Sequence, residues 1–124
     1  FQYEHTQSRQ GGTPWTHPMR YFTNSALFSM DKVQTPILIM HNDADGHVPW
    51  YQGIEFFVAM KRLGKTCWML NYTGEPHWPT KMPNKKDFQT RMAQFFDHYL
   101  KGAPMPKWMA EGVPAVDQPY ELGY

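Results

Sequence analysis

The chain has a single cysteine, Cys67, so no disulfide can form within it. Cys67 stands among apolar residues in a strand-like run, the setting of a buried, inert thiol rather than a reactive one. One thiol selects neither an oxidising nor a reducing compartment. Net charge is only +1, with acidic and basic residues interspersed, which excludes the electrostatic footprint of a nucleic-acid or anionic-membrane binder. No uninterrupted apolar run approaches the roughly 18 residues of a membrane span. There is no internal repeat and no low-complexity block. Serine is scarce, limited to Ser8, Ser25 and Ser29, and none lies in a G-x-S-x-G segment. The first residues, Phe1 to His5, lack an initiator Met, a basic start and an apolar signal core. The expectation is a piece of a longer polypeptide.

What is present belongs to a folded protein. The 124 residues are 41% hydrophobic, 16% aromatic and 19% charged, too apolar for a disordered tail and enough for one domain or part of one. Residues 1–32 are broken by Gly11, Gly12, Pro14 and Pro18 and read as an irregular lead-in with short helices. Residues 33–41 predict a strand, apolar on both faces from Ile37 to Met40, as in a buried parallel sheet. Pro49 suits the first turn of a helix over 50–63, and Gly64 its end. A second strand is expected over 66–72. After a proline-rich loop, a helix over 85–101 carries Phe88, Met92, Phe95, Phe96 and Tyr99 as one stripe, with Asn84 and Asp87 as a capping box. Lys81, Lys85 and Lys86 read as its solvated opening. Pro104, Pro106, Pro114 and Pro119 predict an extended tail over 103–124 that docks on the rest of the chain or dangles. The fold class is α/β, a βαβα unit over 33–102 with parallel strands.

In such sheets ligands bind beyond the carboxyl ends of the strands. Asp45 and His77 each follow one predicted strand by a few residues, so topology puts both on one sheet edge. A carboxylate beside an imidazole fixes its tautomer and stabilises the imidazolium, and the imidazole activates a serine hydroxyl. Singly, each residue has a plainer reading. Asp45 precedes Gly46 as a turn residue would, and His77 could be a loop histidine bonded to a carbonyl.

Thr35 to Pro49, Ile54 to Lys65 and Tyr72 to His77 together resemble the end of the catalytic domain of prolyl oligopeptidase family serine peptidases, a group that includes dipeptidyl and acylaminoacyl peptidases. The resemblance spans roughly residues 19–100. It implies a partial α/β-hydrolase fold with Asp45 as triad Asp and His77 as triad His, Asp43 as a loop partner and Val48 as a packing residue. It implies a peptide substrate, cleaved through an acyl-enzyme, and no metal or other cofactor. It also implies that the serine, the oxyanion-hole segment and a gating β-propeller lie in upstream polypeptide, a partner this chain would need. Trp78 and Pro79 follow His77 where many members carry glycine. Trp50, Trp78 and His47 flank the two loops and could line a pocket. The chain alone is expected to be inactive, and its two strands to leave edges that favour self-association.

Two rivals stand beside that reading. One is an esterase or other acyl hydrolase of the same fold, since fold and triad do not choose the acyl group. The other is a non-catalytic module, in which His41, Asp43, Asp45 and His47 alternate as H-x-D-x-D-x-H and hold a divalent metal, if the strand continues through them. Gly46 argues against that continuation, and His41 is then a strand-end histidine bonded to backbone.

Overall fold

Four successive apolar residues cannot be satisfied by a sheet with one wet face. Ile37–Met40 forms strand β1, and it pairs in parallel with strand β2, Cys67–Leu70, in the register Ile37↔Cys67 to Met40↔Leu70. This computed structural model describes residues 2–118 and 120–124, so Phe1, and Pro119 of the expected tail, lie outside the described residues. Both strands are shorter than expected. Pro36 has no N–H for a ladder, and the Tyr72 N–H past β2 is taken by the Asn42 side chain instead.

Side chains alternate along the pair and build two cores. On one face Ile37 and Ile39 join Met30, Met60 and Cys67; on the other Leu38, Trp68 and Leu70 join Phe95, Trp108 and Met109. The first core is closed by helix α3, Tyr51–Arg62, and by a 3-10 helix, Ala26–Lys32. Burial pushes the Cys67 thiol up, away from the reactive thiolate. Helix α3 ends as its sequence demands. Gly64 takes φ 67, and the Gly64 and Lys65 N–H groups return to the Lys61 and Met60 carbonyls. Two short helices precede these elements, α1 at Gln2–His5 and α2 at Pro18–Asn24.

The second core is closed by helix α4, Met82–Lys101, which starts three residues earlier than expected. Pro83 is tolerated inside its first turn, where N–H groups have no intrahelical partner. There is no capping box: Lys81 is the N-cap, and the Asn84 and Asp87 side chains bond elsewhere. Of the predicted stripe, Phe95 is buried and Phe88 and Tyr99 are partly so, while Met92 and Phe96 stay exposed.

The tail is not simply extended. Lys107–Ala110 forms helix α5, whose Trp108 and Met109 are buried in the second core. The Trp108 Nε1–H donates to Gln94 at 2.8 Å, and the Trp68 Nε1–H donates to the Met109 carbonyl at 3.0 Å. Arg91 bonds the Leu122 carbonyl at 2.9 Å and stacks on the rings of Trp108 and Tyr124. Trp108→Ala is therefore expected to cost about 3–5 kcal/mol in a denaturant titration. A dangling tail would give almost no change in midpoint. No described helix is long and apolar enough to cross a membrane.

Candidate active site

The loops beyond β1 and β2 are joined by side chains that bond backbone across the gap. The Asp43 N–H donates to Asn71 Oδ1 at 3.1 Å, and Asp43 Oδ1 accepts the Gly74 N–H at 2.7 Å. Asn42, with no exposed surface, bonds the Tyr72 N–H and the Pro76 carbonyl. Between these anchors Glu75 N–H returns to the Tyr72 carbonyl at 3.0 Å, a β-turn that needs Gly74 at φ 74.

Asp45 and His77 are brought together. Asp45 Oδ2 lies 2.7 Å from His77 Nδ1, and Oδ1 accepts the N–H groups of His47 at 2.8 Å and Val48 at 3.0 Å. The Asp45 side chain is 2% exposed, which alone would raise its pKa. The bonds from the Val48 N–H, the His77 ring and the His47 N–H outweigh burial and hold the carboxyl far below its ordinary value. An ionised carboxylate only accepts, so Nδ1 of His77 carries a proton, and the tautomer this selects for a neutral ring is the one with its lone pair on Nε2. The His77 side chain is 42% exposed.

Other expected residues divide. The rings of His47 and Trp78 each lie 5.6 Å from that of His77. Trp50 instead stands at the start of α3 with its indole N–H buried and without an acceptor among the described residues. Val48 is 38% exposed and contributes its backbone N–H to Asp45. Its carbonyl meets His41 Nε2 at 3.2 Å, with Asp45 Oδ2 3.4 Å from the same nitrogen. Helix α3 approaches His41 through Gly53, where a Cβ would stand 2.4 Å from Nδ1. The strand stops at Met40, so no continued strand sets His41, Asp43, Asp45 and His47 along one face. Among the described residues no three His, Cys, Asp or Glu side chains form a metal-ligating group.

Two residues were not anticipated, Asn42 and Glu75. Glu75 is fully buried and accepts four bonds: Thr80 N–H and Oγ1–H on Oε2, both at 2.6 Å, and Lys81 N–H at 3.0 Å with Asn84 Nδ2–H at 2.6 Å on Oε1. It thereby ties the His77 loop to the start of α4. A second carboxylate, Asp87, accepts from Tyr72 at 2.6 Å, Arg91 at 2.8 Å and Tyr124 at 2.5 Å. Burial and that bond push the Tyr124 phenol up to about 12. A cavity of about 510 Å³ lies beside this cluster, bordered by Leu70, Asn71, Arg91, Trp108 and Gln118.

The sequence profile of the prolyl oligopeptidase family matches residues 1–103. Dipeptidyl-peptidase 5 of Porphyromonas endodontalis is 34% identical over 95 residues, which cover 73% of this chain and 14% of that protein. Probable dipeptidyl-peptidase 5 of Emericella nidulans is 30% identical over 90 residues, covering 71% of this chain and 12% of that protein. Uncharacterized peptidase YuxL of Bacillus subtilis is 25% identical over 104 residues, covering 81% and 15%. The chain thus spans about one seventh of the length of these relatives.

Proposed function

The chain belongs to the prolyl oligopeptidase family, and from that membership we propose that it carries Asp45 and His77 as two members of a serine-peptidase triad. The serine comes from polypeptide outside these 124 residues, since no G-x-S-x-G occurs within them. The observation that carries the proposal is the 2.7 Å contact of Asp45 Oδ2 with His77 Nδ1. His77 Nε2 takes the serine proton as the hydroxyl attacks a peptide carbonyl, and returns it to the leaving amine. Water then attacks the acyl-enzyme with the same nitrogen as base. Asp45 stays ionised throughout and stabilises the imidazolium. His47 and Trp78, against the His77 ring, border the substrate.

The same proposal has the rest of the polypeptide pair with the free edge of β1. Alone, the chain is left with the outer edges of both β1 and β2 and with exposed Trp15, Val58 and Leu63, and buries them by self-association. The test is a fluorophosphonate-labelled polypeptide that includes this chain and the serine, assayed on dipeptidyl amides and short-chain esters. Labelling with amide hydrolysis, both lost in His77→Ala, is the expected result. Hydrolysis restricted to esters would make the enzyme an esterase, and hydrolysis by the 124 residues alone would sink the division of the triad.

A further inference from the structure

Asn42 has no exposed surface, and its amide presents one donor and one acceptor to the same loop. The Nδ2–H donates to the Pro76 carbonyl at 2.7 Å, and Oδ1 accepts the Tyr72 N–H at 3.0 Å. These partners are the two ends of the turn that delivers His77. Asn42 also stands three residues before Asp45, whose N–H donates to the Asn42 carbonyl at 3.3 Å. One residue is therefore joined by main chain to the Asp45 side and by side chain to both ends of the His77 turn.

Resting on the triad proposed above, we infer that Asn42 is a positioning residue that sets the register between Asp45 and His77. The 2.7 Å contact between them joins loops from different strands and is sensitive to a small slip of either. The bonds that Asp43 makes to Asn71 and Gly74 lie at exposed positions, where water competes. The Asn42 side chain has no exposed surface and its two bonds are part-buried, so an amide group left unanswered there is costly. No isostere replaces it. Asp keeps the acceptor but sets an oxygen against the Pro76 carbonyl. Leu fills a similar volume and leaves both Tyr72 N–H and Pro76 C=O unpaired.

The experiment compares Asn42→Asp, Asn42→Leu and Asn42→Ser with the parent and with His77→Ala, in a polypeptide that includes the serine. Rates are divided by the concentration of folded protein, read from near-ultraviolet circular dichroism, so that unfolded molecules are not counted and the count does not depend on the triad. Asp and Leu are expected to lower kcat about 100-fold with KM within about twofold, because the substrate is still bound while the base is misplaced. Ser, able to keep one bond, is expected to lose about tenfold, and it decides the matter if Asp and Leu do not fold. A kcat per folded molecule within about threefold of the parent in any folded variant overturns the positioning role. So does a raised KM at unchanged kcat, which would make Asn42 a substrate contact. If His77→Ala keeps its kcat, the triad itself fails; if His77→Ala is dead while the Asn42 variants are not, only the positioning role fails.

Discussion

Asp45→Asn, made in a polypeptide that includes the serine, is expected to lower kcat by about ten-thousandfold. The amide is nearly the same size, so the loss comes from hydrogen-bond direction. Asp45 uses Oδ1 for two backbone N–H groups, those of His47 and Val48, and Oδ2 for the imidazole. An Asn there keeps its oxygen on the two N–H donors, because the reverse orientation would set its NH₂ against both. The NH₂ then faces His77 Nδ1 and turns that nitrogen into an acceptor. The ring proton moves to Nε2, and the lone pair that should take the serine proton is gone. Folding is expected to survive, since the loop keeps the His47 and Val48 bonds. Nitrogen NMR of the His77 ring reports the tautomer directly. Wild-type protein should show the proton on Nδ1 and Asp45→Asn should show it on Nε2. A loss of kcat below about tenfold, with the tautomer reversed, would mean that His77 is not the base.

The pairing of Asp45 with His77 was legible in the sequence because it depends on topology. Two apolar strand centres, Ile37–Met40 and Cys67–Leu70, lie in parallel, and each is followed by its loop residue at one sheet edge. Those centres needed only local pattern, since residues apolar on both faces have few other places to go. Where the strands stop did not follow from pattern. Tyr72 leaves the ladder because an Asn 30 residues earlier takes its N–H. The tail misled for a related reason. Pro104, Pro106 and Pro114 read as extended chain, yet Trp108 and Met109 fold into a helix because Trp68, Gln94 and Arg91 wait for them. Glu75 gave a faint signal: a carboxylate shortly before Thr80, Lys81 and Asn84, at a helix start rich in unpaired N–H groups. Its burial depends on the loop doubling back, which no local period records.

Glu75 is also where acid should act. Its folded carboxyl is drawn down to about 2 from the ordinary 4.5, by the Thr80 hydroxyl first, then against the cost of burial by the N–H groups of Thr80 and Lys81 and the Asn84 amide. A carboxyl lowered on folding contributes stability above its unfolded pKa and loses it as pH falls through the folded one. The Glu75 contribution is therefore complete above about 4.5 and fades toward about 2. Glu75→Gln replaces one oxygen by an NH₂ that faces two donors, either the pair from Thr80 or the pair from Lys81 and Asn84. The variant should melt below wild type at neutral pH, and the gap between the two melting temperatures should close as pH falls from 4.5 toward 2. Because the same loop carries His77, kcat of the serine-bearing polypeptide should also fall, by about 100-fold if the ring is displaced by about 1 Å. A gap constant with pH would mean that Glu75 is not held as the buried anion. A closing gap at unchanged kcat would mean that its anchorage stabilises the fold without reaching His77.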